Sequence, residues 1–268
     1  TGTYSGTWNV GTVASQMTAT AQGTAPGLTA VSTTLVGAVG PNATPPPQIA
    51  ANGVVHNSNP KTGGALAPGN VAAIYGAGLA SQTASPGVLP LVTQFNGSEV
   101  IVGGSNAPFY FLSAGQVNVQ IPNELAPNRQ YQVVAIVNNA LTAPQTIDLS
   151  PAVPGVSAFA DGTLIAQHGD FQLVTAANPS RAGEVLVMYL AGMGATQTAV
   201  ATGTPSPATQ VVIAPTVTVD GQSSPVLYAG LTPGGIGLYQ INFQVPASTK
   251  PGNVTVVVSQ GGVTANQT

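Results

Sequence analysis

Charged residues are scarce in this 268-residue chain. Asp, Glu, Lys and Arg together make up 4% of the residues, against about 25% in an ordinary soluble domain. Four basic residues are too few for a phosphate-binding surface, which argues against nucleic acid as a partner. The net charge of -3 provides no strong steering field. Polarity comes instead from Thr, Ser, Asn, Gln and 33 glycines, a composition common in secreted and surface-layer proteins.

Cysteine is absent, which excludes disulfides, thiolate metal sites and cysteine nucleophiles. A long hydrophobic run is also missing. The longest covers residues 185–195, whereas a membrane-spanning helix needs about 20 residues. We therefore expect a buried strand and turn there, and no membrane span. The first residues also lack the basic region and apolar core of a cleavable signal, so a secreted form would be a mature or trimmed chain.

No catalytic constellation is evident. Among the seven acidic residues, only Asp161 and Asp170 lie close together in the sequence, with His168 between them. These three residues could form a weak calcium or transition-metal site. We favour the alternative, in which the two aspartates simply shape polar turns. His56 has no partner nearby in the sequence, and no Gly-x-Ser-x-Gly elbow occurs. We therefore expect no enzymatic activity, no cofactor and no metal ion.

Two copies of one unusual strand pattern organise the chain. Apolar side chains alternate with Gln and Asn in the string LYQINFQVP (residues 238–246) and in the string GQVNVQIP (residues 115–122). Successive side chains of a strand point to opposite faces, so each string predicts a strand with one apolar face and one amide face. A proline, which cannot donate to a strand ladder, ends each copy. We expect interior strands whose amides bond to neighbouring segments, rather than a ligand-binding face.

Further strings align the two halves of the chain and predict their fold. The matched pairs are residues 67–78 with 181–192, 104–111 with 221–228, and 141–146 with 263–268. Each half has short, regularly spaced strands separated by Gly/Pro turns, which is typical of an immunoglobulin-like β-sandwich. Tyr75 and Tyr189 occupy equivalent positions, which favours a core role at a strand end.

We therefore predict an all-β protein with two tandem immunoglobulin-like β-sandwiches preceded by an N-terminal β-strand segment. The predicted parts are the strand segment (1–40), a Pro-rich linker (41–47), the first sandwich (48–151) and the second sandwich (152–268).

The N-terminal segment is expected to contain strands over residues 4–13, 16–22 and 28–39. Three strands in so short a segment barely form an independent sheet. We therefore expect either a partial immunoglobulin-like domain or donor strands that pair with another subunit. Trp8, the only tryptophan, is expected to anchor this segment, with a sugar-stacking platform as the alternative.

The second copy stops where the first copy continues into a last strand, which predicts an exposed sheet edge with little charge to guard it. We therefore assign contacts with a subunit or ligand to Trp8, Met17, Gln267 and Thr268. The Asn-x-Ser/Thr pattern of N-glycosylation also occurs four times, at Asn42, Asn96, Asn253 and Asn266.

The second copy resembles the Solibacter-type C-terminal domain, an uncharacterised family found at the C-termini of large secreted acidobacterial proteins. The resembling strings are GEVLVMYLAGMG (183–194), VTVDG (217–221), YAGLTPG (228–234) and GLYQINFQVP (237–246), with weaker forms in IYGAGL (74–79) and SAGQVNVQIP (113–122). The resemblance spans residues 65–268. It implies an exported, β-rich, multidomain protein and implies no activity.

These observations predict a non-catalytic structural protein, located outside the cell or on its surface. We expect it to be a subunit of a filament or surface array assembled by β-strand pairing, so that its partners are other copies of itself. The alternative is a cell-surface adhesion or polysaccharide-binding module, with glycans as partners.

Overall fold

A computed structural model describes residues 14–24, 26–27, 29–39, 45–266 and 268. These described residues form β-strands and no helix, which confirms the all-β prediction. None of the described residues forms a helix long and apolar enough to cross a membrane. Trp8, Asn42, Gln267 and the strand predicted over residues 4–13 lie outside the described residues.

The strands have the following bounds. In chain order they are β1 (Ala14–Gly23), β2 (Val31–Val39), β3 (Gln48–His56), β4 (Val71–Ala77), β5 (Gln94–Phe95), β6 (Ser98–Val102), β7 (Ser105–Asn106), β8 (Phe109–Leu112), β9 (Gln116–Gln120), β10 (Arg129–Val137), β11 (Ala140–Leu141), β12 (Gln145–Leu149), β13 (Gly155–Val156), β14 (Ala166–Gln167), β15 (Val185–Ala191), β16 (Thr209–Gln210), β17 (Pro215–Val219), β18 (Gln222–Ser224), β19 (Val226–Leu231), β20 (Tyr239–Gln244), β21 (Val256–Gln260) and β22 (Val263–Thr264).

Strands β1 and β2 form an antiparallel two-stranded sheet, which we call the hairpin. The hairpin confirms the strands expected over residues 16–22 and 28–39. Among the described residues, its two strands pair only with each other.

One hydrophobic core forms within residues 48–151, which we call the first unit. A four-stranded sheet in the order β3-β4-β9-β8 and a six-stranded sheet built on β11-β10-β6-β5 both contribute to it. Ile74 and Phe109 come from the first sheet and Val133 from the second, and all three are fully buried.

A second core forms within residues 152–268, the second unit. Its sheets follow the orders β13-β15-β20-β19-β16, with β14 also on β15, and β18-β17-β21-β22. Met188 and Phe243 from one sheet pack in the same cluster as Val258 from the other.

The two amide-faced strands are interior strands, as predicted. Strand β9 lies between β4 and β8, and β20 lies between β15 and β19. In β20 the apolar face is buried, while Gln240 Nε2 donates to Asn242 Oδ1 at 3.1 Å. Gln244 Nε2 donates to the carbonyl oxygen of Gly183 at 2.9 Å. The expectation that these amides bond to neighbouring segments is therefore confirmed for Gln244, whereas Gln240 and Asn242 bond to each other within β20.

Strand registers test the sequence alignment of the two units. Tyr75 lies opposite Gln116, and Tyr189 lies opposite Gln240, so the aligned strings correspond in space. Tyr75 is nevertheless 43% exposed, and the expected core role is wrong for this residue.

Near the end of the chain, the sequence alignment is wrong by one residue. Val133 lies opposite Val102, and Val256 lies opposite Val219 in the same way. The N–H of Thr142 donates to the carbonyl oxygen of Ala135, and the N–H of Ala265 donates to the carbonyl oxygen of Val258. Thr142 therefore corresponds to Ala265, whereas the sequence strings pair it with Thr264.

The registers also align His56 with His168, which the sequence strings do not. Val54 lies opposite Ile74 in the first unit, and Ala166 lies opposite Met188 in the second. The equivalence of Tyr75 and Tyr189 makes these positions equivalent, and each histidine follows two residues later. Residues 50–53 form a short bulge before this point in the first unit, whereas residues 157–165 occupy the same place in the second. This insertion hides the match.

Candidate functional site

His56 joins the two units. Its ring is buried, at 3% exposure, and Nδ1 accepts hydrogen bonds from the N–H groups of Ser58 and Asn59 at 3.0 and 3.1 Å. Nδ1 is thus an acceptor, so the ring proton sits on Nε2, which donates to the carbonyl oxygen of Ala191 in the second unit at 3.3 Å. Burial lowers the pKa of His56 to about 4, although hydrogen bonds to the carbonyls of Ala191 and Val153 oppose that shift. The ring is therefore neutral near pH 7.

Glycines allow the two units to approach at this joint. Gly155 and Gly192 lie so close to His56 that a Cβ at either position would overlap the imidazole ring. Gly237 has a φ of 57°, and a Cβ there would lie 2.6 Å from the carbonyl oxygen of Gly69. The joint is therefore a close backbone contact that side chains would block.

The last amide of β9 also belongs to the joint. Gln120 is 2% exposed, and its Oε1 accepts a hydrogen bond from the N–H of Gly203 at 2.7 Å. The carbonyl oxygen of Gly203 in turn accepts from the N–H of Leu91 at 2.8 Å. Two segments of the first unit thus hold the same residue of the second.

The turn after β9 adds a charged contact. Asn123 Nδ2 donates to the carbonyl oxygen of Val200 at 2.9 Å. The Glu124 carboxylate accepts from the hydroxyl and the N–H of Thr202 at 2.6 and 3.1 Å. Partial burial acts to raise the pKa of Glu124, but the two bonds from Thr202 outweigh it and lower the pKa. Glu124 therefore remains ionised where it contacts the second unit.

An uncharged cleft of about 480 Å³ opens beside the joint, between the two units. The hydroxyl of Tyr110 donates to the carbonyl oxygen of Ile236, and burial raises the pKa of Tyr110 to about 12. The described polar groups that line the cleft are neutral, such as the amide of Asn118. The cleft lining includes Leu89, Leu91, Tyr110 and Asn118 from the first unit and Ile236 and Leu238 from the second.

The hairpin has one apolar face and one mixed face. Met17 lies opposite Gly37, and Ala19 lies opposite Leu35. Residues directly opposite share a face of the sheet, so the Met17 and Leu35 side chains stand on the same face as diagonal neighbours. Leu35 is 71% exposed. Val36, opposite Thr18 on the other face, is 64% exposed.

The two aspartates near His168 shape turns, in agreement with the favoured interpretation. Asp161 Oδ1 accepts from the N–H of Thr163 at 2.9 Å, which lowers its pKa. Asp170 Oδ1 accepts from the N–H of Gln172 at 3.0 Å. Within the described part of the chain, no three His, Asp or Glu side chains are grouped as a metal site requires.

His168 pairs with Glu184 instead. Its Nδ1 lies 2.6 Å from Glu184 Oε1. The hydrogen bond raises the pKa of His168 and lowers the pKa of Glu184. Glu184 Oε2 also accepts from the N–H of Arg181 at 2.8 Å. The pair braces a loop whose next aromatic residue, Phe171, is 75% exposed with a φ of 67°.

The predicted contact residues that the structure describes belong to different parts of the fold. Met17 is half-buried on the apolar face of the hairpin. Thr268 exchanges two backbone hydrogen bonds with Val256, at 2.8 and 3.3 Å.

The predicted glycosylation residues differ in their surroundings. Asn96 lies in the turn between β5 and β6 with a φ of 50°, and Asn253 is exposed. The amide of Asn266 accepts from the N–H of Val156 at 2.7 Å and donates to its carbonyl oxygen at 2.9 Å. A glycan on Asn266 would break these two bonds, and glycosylation at all four positions stays a prediction.

No protein-family model matches this chain, and no curated protein matches it. Sequence analysis missed both the joint and the cleft. The two histidines become equivalent once the insertion at residues 157–165 is allowed for, but this equivalence does not show which of them the other unit covers.

Proposed function

We propose that the protein is a non-catalytic structural subunit, located outside the cell or on its surface, that assembles into a filament or array through β-strand pairing between copies. Its two units would be tandem immunoglobulin-like β-sandwiches. The observation that carries the proposal is the hairpin. A two-stranded sheet is marginally stable in water by itself, yet the described side chains of this one are exposed, apart from the half-buried Met17.

The outer edges of the hairpin favour pairing with another chain. Strands β1 and β2 are 10 and 9 residues long and contain no charged residue and no proline, two of the devices by which proteins guard an edge. The backbone groups on their outer edges pair with no other described strand and can add to a sheet of another copy. The hydrogen-bonded joint between the two units would limit their relative motion, which suits a load-bearing subunit.

Electron microscopy tests this proposal. We expect purified protein to form filaments or arrays in negative stain, and a variant that lacks residues 1–44 to remain monomeric by light scattering with its thermal unfolding unchanged. Full-length protein that stays monomeric at the highest soluble concentration would overturn the proposal.

A second candidate function is the binding of polysaccharide, and the exposed aromatic residues favour it. Phe159 is 46% and Phe171 75% exposed, and an exposed aromatic ring can stack on a sugar. Glycan-array binding should then be lost in Phe171→Ala and kept in Leu227→Ala, whose leucine is 59% exposed elsewhere on the second unit. Equal binding by the two variants would exclude this role for Phe171.

A further inference from the structure

We propose that the apolar face of the hairpin from one copy docks into the cleft between the two units of a second copy. The inference rests on the proposed assembly function and identifies the site where the hairpin binds. The neighbouring Met17 and Leu35 side chains of the hairpin would occupy the cleft.

The hairpin presents these two side chains as a knob. Leu35 faces Ala19 across the sheet, and Met17 faces Gly37. Gly23 and Ala21 continue the same face beyond Ala19 because side chains alternate along β1. Thr33 and Val31, opposite Ala21 and Gly23, lie on this face too. Met17 and Leu35 have the small cross-strand partners Gly37 and Ala19, so these two long side chains project above their immediate neighbours, a shape that can enter a concave site.

The cleft has the complementary shape and chemistry. Its volume of about 480 Å³ falls within the range of roughly 300–1,000 Å³ typical of sites that enclose a ligand. Leu89 and Leu238 line it and are 63% and 36% exposed, so apolar surface is open to solvent on both sides. An apolar knob would remove that surface from water.

Electrostatics favour the same occupant. Among the described residues, none that lines the cleft carries a charge, and neither strand of the hairpin contains a charged residue. Docking would therefore desolvate no ion, whereas a charged ligand would find no counter-charge in the cleft. A charged peptide or an anionic sugar is thus a poorer occupant than the hairpin.

Docking of the hairpin into the cleft would produce an open assembly. The knob and the cleft are different surfaces of the same chain, so the contact is heterologous, and each copy that fills a cleft still offers its own. Such contacts propagate into filaments unless the rotation between copies closes a ring. Docking of the hairpin into the cleft would therefore give the proposed filament a head-to-tail direction.

Cysteine cross-linking tests this binding site directly because the chain has no cysteine of its own. Leu35→Cys and Leu238→Cys are placed in separate preparations, mixed, allowed to assemble and treated with a short bismaleimide. We expect a covalent heterodimer. Val36→Cys, equally exposed on the opposite face, serves as the matched control and should give at least ten-fold less heterodimer with Leu238→Cys. Val212→Cys, which is 62% exposed outside the cleft lining, is the acceptor control for Leu35→Cys.

The outcomes separate this inference from the assembly proposal. Filaments that form while Leu35→Cys links no better to Leu238→Cys than to Val212→Cys would overturn the cleft as the binding site and leave assembly intact. Preferential linking of Leu35→Cys to Phe171→Cys would likewise replace the cleft with the exposed aromatic loop. Absence of any assembly by microscopy would overturn the proposed function itself. Efficient, face-specific linking to Leu238→Cys supports both.

Discussion

His56 and His168 occupy equivalent positions in the two units, but they differ in burial and in the partner of Nδ1. His56 is buried in the joint and has a pKa lowered to about 4. His168 pairs with Glu184 near the surface, and that bond raises its pKa. The second unit covers His56, while no described segment covers His168 to the same degree. A repeated strand position thus acquires its chemistry from what packs on it.

The residues beside each histidine differ accordingly. Position 184, a glutamate in the second unit, corresponds to Asn70 in the first, because Val71 and Val185 both begin equivalent strands opposite Gln120 and Gln244. Asn70 is fully buried, and a carboxylate there would be costly to ionise. At this strand position the first unit carries a neutral, buried side chain, whereas the second unit carries one member of an ion pair.

Alanine substitution should reveal the largest difference between the two histidines. His56→Ala removes the acceptor of two partly buried N–H groups and the donor to Ala191, and leaves a cavity beside Gly155 and Gly192. We expect a loss of about 3 kcal/mol in the free energy of unfolding. His168→Ala should cost about 1 kcal/mol or less, because the His168 and Glu184 side chains are still 11% and 26% exposed and water weakens their interaction. Urea titrations of both variants measure the difference, and equal losses would contradict the assignment of His56 to a joint.

Acid should destabilise the protein through His56. A pKa of about 4 in the folded state lies below the ordinary value of 6.5, so the unfolded chain binds more protons between these values. The contribution of neutral His56 is fully present above pH 6.5 and is lost progressively as the pH falls towards 4. The difference corresponds to about 3 kcal/mol.

A comparison of variants isolates this effect from that of the carboxylates, which titrate in the same range. Unfolding free energies at pH 7 and pH 4.5 should differ less in His56→Gln than in the unmodified protein. His168→Gln should not reduce the acid loss. A loss that persists undiminished in His56→Gln would assign the acid sensitivity to other groups.

Sequence patterns predicted the features that depend on local periodicity. The alternation around Asn118 and Asn242 predicted interior strands with one buried face, and the alternation of Met17 with Thr18 predicted the strand that became β1. Both patterns are visible because a strand repeats every two residues. The strings that flank the amide strands aligned the two units for the same reason.

The joint and the cleft could not be predicted because they depend on distant segments meeting. The need for glycine at Gly192 and Gly237 arises only from the approach of the other unit. The hairpin knob likewise depends on the register that places Leu35 opposite Ala19, which the sequence of either strand alone does not specify. The immunoglobulin-like topology and the acidobacterial resemblance stay predictions.

Substitution of the two equivalent glutamines, Gln120 and Gln244, should lower the free energy of unfolding by different amounts. This difference should be smaller than that between the two histidine variants. Gln120→Leu leaves the N–H of Gly203 without its acceptor inside the joint, which should cost about 1–3 kcal/mol. Gln244 makes its bond to Gly183 at the surface, where water can replace it, and Gln244→Leu should cost a few tenths of a kcal/mol. Hydrogen exchange at Gly203 checks the location. Its amide should exchange faster in Gln120→Leu and at the normal rate in Gln244→Leu.

The smallest expected effect concerns the His168–Glu184 pair. The raised pKa of His168 means that its contribution is present below pH 6.5 and is lost as the pH rises through the folded value. The lowered pKa of Glu184 means that its contribution is present above pH 4.5 and is lost as the pH falls through the folded value. The pair should therefore stabilise the loop most between pH 4.5 and 6.5, by less than about 1 kcal/mol.

Glu184→Gln tests this window. The variant should lose stability relative to the unmodified protein near pH 5.5 in low salt, and the difference should shrink in 1 M NaCl because salt screens exposed charges. NMR titration of His168 should also show a lower pKa in the variant, whereas the His56 resonances should not change. A His56 shift in Glu184→Gln would mean that the two equivalent positions communicate across the joint, contrary to their assignment as independent sites.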